Sequence, residues 1–465
     1  MNKKNILLAW ALLALAVSSY AQWSAFSTGT TNGFIVEFDE HLGEIYATGF
    51  FTRIGGKNAR YLARWDGEQW NQVGAGLPEA GHAMHSFQGA LHLAVYQFNV
   101  DSNYVYRWNS DINVLSKLGP GFYLTTATAN FSNIPSLYDI LDYNGQLVVC
   151  GEFDRIGGAA IKGIARWNGI QWQGLGGGLS GYIDGSYDIM YPHKMLVHDG
   201  YLYVAGNFKM AGNVEANGIA RWNGNSWEAL GAGFNGAVLG IEFYNGELYA
   251  GGEFTQSGDN ELAYIARWDG DEWVSPGIGV AYAPEPPYPF VHTLKAIDGK
   301  LYTLGGFDKC TDDNGADVPC SGILAYDGAS WDGMDGGLSD NAGGESEAII
   351  AYEGGILVGG QFSTAGDLPV NNMALWGVIS GTAEAEEALP ARVFPNPSHG
   401  WFMVQLPEPA QRFTYRLLNN TGQAVQSGSA QVGQAIRTRA GLAPGLYYLQ
   451  GECEAGAFRG KVVLR

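Results

Sequence analysis

Cysteine and basic residues are scarce in this 465-residue sequence. It has four cysteines, and 26 Lys and Arg against 46 Asp and Glu, for a net charge of −20. So few cysteines exclude a fold held together by a disulfide framework. The acidic balance excludes nucleic acid as a natural partner, because such a surface repels a phosphate backbone. The charge is unevenly spread: residues 392–465 hold eight basic residues and three acidic ones, two lysines open the chain, and the stretch between carries −27. Long hydrophobic runs are also missing. The sustained one at residues 6–17 falls short of the ~20 residues a membrane helix needs, so no transmembrane anchor is expected. It follows Lys3-Lys4 and precedes Ser19-Tyr20-Ala21, the order of a secretory signal over residues 1–21, cut before Gln22. Catalytic signatures are absent as well. There is no nucleophile elbow between strand and helix, no His-Glu-x-x-His, no Walker loop and no Cys/His zinc spacing.

What is present is glycine, 68 residues, and an aromatic content of 13%. Both serve one phrase repeated along the chain. Its fullest copy runs Leu202-Tyr203-Val204-Ala205-Gly206-Asn207-Phe208, then Ile219-Ala220-Arg221-Trp222-Asn223-Gly224, then Trp227. Further copies start at Ile45, Leu91, Leu147, Leu248, Leu301 and Ile356. A spacing of roughly 45–55 residues lies in the range of propeller blades. A full copy divides into four strands, with Asn-Gly or Asp-Gly between the first and second in four copies and between the third and fourth in five, and both turns are expected to be type I′ hairpins. The last copy ends at Trp376 without a fourth strand, whereas Gln22-Trp23-Ser24-Ala25-Phe26 reads as that missing strand. The N-terminus would then close a ring and remove its open sheet edges.

The Gly-Gly pairs ending the second strand (Gly305-Gly306, Gly359-Gly360) and the aromatics that follow resemble kelch-type propellers. The Ala-Arg-Trp-Asn/Asp-Gly phrase is similar to the propeller repeats of fungal cortical polarity-marker proteins and of many bacterial surface proteins. The resemblance covers residues 22–378 and implies a seven-bladed β-propeller. It implies no activity, since propellers host many functions.

Residues 379–391 are small and acidic and read as a linker. Beyond them come Val393-Phe394-Pro395-Asn396-Pro397, Thr421-Gly422-Gln423, Gly441-Leu442-Ala443-Pro444-Gly445-Leu446-Tyr447-Tyr448 and a basic, apolar end. Alternating strands between glycine turns suggest a small Ig-like β-sandwich over residues 392–465. The motifs resemble the C-terminal sorting domain of type IX secretion cargo. That likeness implies recognition by the outer-membrane secretion machinery, cleavage in the linker, and a product on the cell surface or outside the cell.

Candidate binding residues lie on long, unrepeated, aromatic segments joining one blade to the next, at residues 122–138, 182–193 and 282–292. Such loops above a rigid scaffold are where binding residues gather. Tyr182, Asp184, Tyr187, Asp188, Tyr191, Tyr288 and His292 offer the stacking and hydrogen-bonding mixture that a sugar face prefers. A glycan or surface-protein ligand is one reading. A polysaccharide hydrolase or lyase using Asp184 and Asp188 is a second, and a structural or adhesive surface protein a third. Arg64, Arg107, Arg166, Arg221 and Arg267 precede the third-strand aromatic, and are expected to stack on a neighbouring Trp and pair with a carboxylate. The insertion at residues 308–317 supplies oxygen ligands for Ca2+, although its spacing misses the EF-hand pattern. In an oxidising compartment Cys310 and Cys320 are expected to pair across it.

Overall fold

A computed structural model describes residues 21–97, 101–110, 112–125, 134–183, 190–282, 289–339, 345–378, 389–394, 398, 400–406, 410–418, 424–439, 441–443, 445–454 and 456–464. Asp184, Tyr187, Asp188, Tyr288, the expected signal at residues 1–21 except Ala21, and most of the expected linker lie outside these residues.

Among the described residues there are seven four-stranded antiparallel sheets. Their innermost strands are β1 (Ile35–His41), β2 (Gly81–Phe87), β3 (Ser136–Tyr143), β4 (Tyr191–His198), β5 (Val238–Tyr244), β6 (Phe290–Ile297) and β7 (Glu345–Tyr352). Each of these strands contacts the next, and β7 contacts β1, so the sheets close into a propeller-like ring. The seventh sheet takes its fourth strand from the N-terminus. Ala21–Ala25 pairs with Met373–Val378, with Trp23 opposite Trp376. Trp23 Nε1 also donates to Met334 O of the preceding sheet at 2.7 Å. Trp172, Trp273 and Trp331 make the same bond to Leu118, Leu230 and Pro276. In these four sheets the fourth-strand tryptophan is a latch to the preceding sheet, which Trp70 and Trp227 do not make, and Trp23 supplies it where the repeat runs out.

The two kinds of turn differ. Between first and second strands both central residues have positive φ, as at Asn144-Gly145 and Asp199-Gly200, which is the type I′ geometry. Between third and fourth strands the type I′ expectation is corrected. There only the glycine has positive φ, and Asp66 Oδ1 accepts from the N–H groups of Glu68 and Gln69. Asn168, Asn223, Asp269 and Asp327 do the same. A side-chain oxygen that captures two backbone donors makes an Asx turn, which holds the chain without a second left-handed residue.

A further tier of small sheets covers one face. The segment leaving one sheet pairs with the hairpin between the second and third strands of the next: Phe122–Tyr123 with Arg155–Ile156, Leu179–Ser180 with Met210–Ala211, Ile278–Ala281 with Lys309–Asp312. Cys310 and Cys320 form a disulfide, with Cα atoms 6.0 Å apart, across the last of these hairpins. The C-terminal segment forms a five-stranded and a three-stranded sheet around Phe402, Val404, Phe413, Leu417, Leu449 and Phe458.

Candidate functional site

Every innermost strand carries a β-bulge at the same place. The pairing skips Val36, His82, Tyr138, His193, Leu239, His292 and Glu347 in turn. A bulge breaks the two-residue alternation and re-aims the extra side chain. Here all seven line the ring's axial cavity of about 880 Å³. Glycine on the facing strand makes room for the bulge: a Cβ at Gly206 would lie 2.3 Å from Tyr191 O, and one at Gly305 2.1 Å from Phe290 O. In the second sheet the glycine has changed strands, with Gly81 opposite Val95.

Four of the bulge residues, His82, Tyr138, His193 and His292, form an arc of rings with Phe34 and Phe50. Phe34 and Phe50 are 5.2 Å apart, Phe50 and His82 5.7 Å, His82 and Tyr138 6.1 Å, Tyr138 and His193 5.3 Å, and His193 and His292 4.8 Å between centroids. Tyr191 flanks the arc, 6.4 Å from His193. Burial, with the neighbouring His193, pushes His82 down to about 4, and burial likewise pushes His193 to about 4. Burial first, then His193, hold His292 well below the usual imidazole range. The three rings are neutral at pH 7, so the arc is aromatic and hydrogen-bonding but uncharged. His193 Nδ1 contacts Leu239 O at 2.7 Å and must donate to it, which fixes that tautomer. His82 Nε2 is buried without a hydrogen-bond partner.

Deeper in the channel the charged residues tie sheets together. Glu37 Oε2 accepts from Met84 N of β2, and Asp139 Oδ2 accepts from Met195 N of β4 at 2.7 Å. Lys194 Nζ lies 3.2 Å from Asp139 Oδ1. Burial works against the charge on Lys194, but Asp139 and Glu37 together hold its pKa above the ordinary value. Burial pushes Glu37 up to about 8, with Asp139 and Asp39 adding to the rise and Lys194 opposing it.

The sequence placed its candidates on loops, and two of them are corrected. Tyr191 belongs to β4 and His292 to β6, each at a strand entrance rather than on a loop. The bulge disguised both, because it interrupts the alternation at that point. Tyr182 sits in the connection ahead of β4, 39% exposed. The structure brings Tyr191 and His292 together through His193. His193, His82, Tyr138, Phe34 and Phe50 were not among the candidates read from the sequence, although Tyr138 and His193 close two of the segments named there. One signal could have found the bulge residues: each lies thirteen positions before the residue that ends its second strand's apolar run, glycine in six repeats and Val95 in the other.

The arginines also differ from expectation. Arg64, Arg221 and Arg267 pair with Glu44, Glu228 and Glu247, but Arg221 stacks on Tyr201, 4.5 Å away, rather than on Trp. In the 308–317 insertion Asp312 Oδ1 accepts from Asn314 N and Ala316 N, and Asp313 accepts from Ser275. Among the described residues no group of three or more His, Cys, Asp and Glu is placed to hold a metal ion. No helix among them is long and apolar enough to cross a membrane.

Among solved structures, the chain is similar to the extracellular domain of a protein assigned as a hybrid two-component system from B. thetaiotaomicron. That match has 9% identity and TM-score 0.29, and covers 96% of this chain and 100% of that one. It is also similar to the β-propeller domain of the Trilobed protease from Pyrococcus furiosus, described as having an open velcro topology. Here the identity is 9% and the TM-score 0.36, over 76% of this chain and 95% of that one. No curated protein matches. Residues 392–465 match the secretion system C-terminal sorting domain. By that domain the chain is a cargo of type IX secretion, a propeller-like body exported to the cell surface or the extracellular space.

Proposed function

We propose that residues 22–378 form a seven-bladed, kelch-type β-propeller acting as an exported binding module, with the mouth of its axial channel as the ligand site. One observation carries this reading: the arc of Phe34, Phe50, His82, Tyr138, His193 and His292, uncharged at neutral pH, over a cavity of about 880 Å³. Ring faces with a few placed polar atoms suit the apolar face and hydroxyls of a neutral sugar. The three long segments at residues 122–138, 182–193 and 282–292 end inside β3, β4 and β6, at Tyr138, His193 and His292. Asp184, Tyr187, Asp188 and Tyr288 are proposed rim residues on these connections. Glu37 and Asp139 each spend a carboxylate oxygen on a neighbouring strand, which favours binding over hydrolysis. The sorting domain would engage the secretion machinery and be removed within residues 379–391.

Screening the mature protein against a glycan panel tests the reading. A neutral oligosaccharide should bind, and Tyr138→Ala or His193→Ala should weaken it at least tenfold while the folded signal is retained. Unchanged binding in both variants, or a protein ligand in place of any glycan, would refute it.

A further inference from the structure

A second cavity, of about 350 Å³, opens at the seam between the second and third sheets. Its origin can be followed in the repeat. In three of the seven sheets a tyrosine at the end of the innermost strand closes this seam: Tyr143 and Tyr244 donate their hydroxyls to Gly200 O and Gly299 O of the next sheet, and Tyr352 accepts from Trp65. In β2 that position is Phe87, which has no hydroxyl to span the seam, and the space stays open.

Arg107 lines this opening. Three of its four counterparts, Arg64, Arg221 and Arg267, pair with a glutamate, on the second strand at Glu44 and Glu247 or on the fourth at Glu228. The corresponding positions of the second sheet are Ala90 and Ser116, and among the described residues Arg107 has no carboxylate partner. Opposite it, His92 replaces the tyrosine found at Tyr46, Tyr203 and Tyr249. His92 is 4% exposed, and its Nδ1 is buried without a hydrogen-bond partner. The third sheet supplies the other wall, with the half-buried Trp167 and the amides of Gln146 and Asn168. An unpaired guanidinium is matched in geometry by a carboxylate, and an aromatic wall with flanking amides suits a sugar ring and its hydroxyls. The volume lies at the lower end of the range for small-ligand pockets, about 300–1,000 Å³.

We infer that the seam between the second and third sheets is a binding site for a carboxylate-bearing sugar, a uronic acid residue, with Arg107 holding the carboxylate and Trp167 the ring. It is separate from the channel mouth, and repetition of the fold would have erased it had Arg107 kept its glutamate. The site puts a cationic contact on a strongly acidic body, where an anionic ligand would otherwise be repelled.

Calorimetry on the mature protein tests this with three probes: a glucuronate-containing tetrasaccharide, the same tetrasaccharide with its carboxyl reduced to hydroxymethyl, and inorganic sulfate. The uronate form should bind at least tenfold more tightly than the reduced form, and sulfate should compete weakly. Arg107→Gln, at an exposed position without an ion pair, should lower uronate affinity at least tenfold with an unchanged melting temperature. Trp167→Phe should lower it several-fold. Arg64→Gln and the channel variant His193→Ala should leave it unchanged. Equal binding of native and reduced sugars, wild-type affinity in Arg107→Gln, sulfate binding as tight as the uronate, or no uronate binding would each overturn the inference.

Discussion

At the scale of single residues, the channel shows how one side chain can serve packing and electrostatics together. Glu37 accepts from Met84 N while buried beside Asp139 and Asp39, and burial raises its pKa to about 8. Between its unfolded value of 4.5 and about 8 the native state therefore holds this proton more tightly than the unfolded chain does. The stabilisation is complete below pH 4.5 and is lost as pH rises through 8. Glu37→Gln keeps an oxygen for Met84 N and removes the titration. Its stability should match the wild type near pH 4.5 and exceed it at pH 8.5, by on the order of 2 kcal/mol. Urea unfolding of both proteins at the two pH values checks this. A constant difference between them would show that Glu37 is not a buried acid.

At the scale of elements, the bulge is the device that builds the candidate site, and glycine is the residue that permits it. Gly206→Val would drive a side chain into Tyr191 O and press out the bulge at His193. Overpacking of this kind costs about 1–3 kcal/mol. The expected result is a lower urea midpoint together with weaker glycan binding. Gly158→Ala, where nothing lies within 4 Å of the new Cβ, should change neither.

The same contrast marks what was legible in the sequence. The second strands, the first hairpin turns and the N-terminal strand around Trp23 could all be read, because local periodicity and left-handed turn residues specify them. Cys310 and Cys320 lie ten residues apart around a single hairpin, so their pairing was also accessible to local reasoning. The arc was not accessible, since Phe34, His82, Tyr138 and His193 become neighbours only when separate repeats are brought around one axis. Tyr191 and His292 were noticed as aromatic and polar candidates but assigned to the wrong element, because a bulge looks like the end of alternation. The Asx turns were mistaken for type I′ hairpins because Asn-Gly and Asp-Gly suit both, and only the φ of the first residue separates them.

At the scale of the whole molecule, the chain divides into two segments of opposite charge. Residues 392–465 carry the sorting signal and a net positive charge, while the ring carries nearly all of the acidity. Closure by Trp23 leaves a rigid frame in which repeated positions build the fold and unrepeated ones face the channel. Val36, His82, Tyr138, His193, Leu239, His292 and Glu347 hold one structural position with five residue types, so the scaffold tolerates wide variation there. A position freed from packing is available for recognition.

The most direct test follows the imidazoles themselves. Nitrogen and carbon NMR of histidine-labelled mature protein, titrated with the neutral oligosaccharide selected from a glycan panel, reports each ring separately. The account predicts saturable shifts at His82, His193 and His292, with all three neutral at pH 7, and none at His41 or His198. Shifts confined to His41 and His198, or a saturated complex that leaves the three channel rings unmoved, would contradict it.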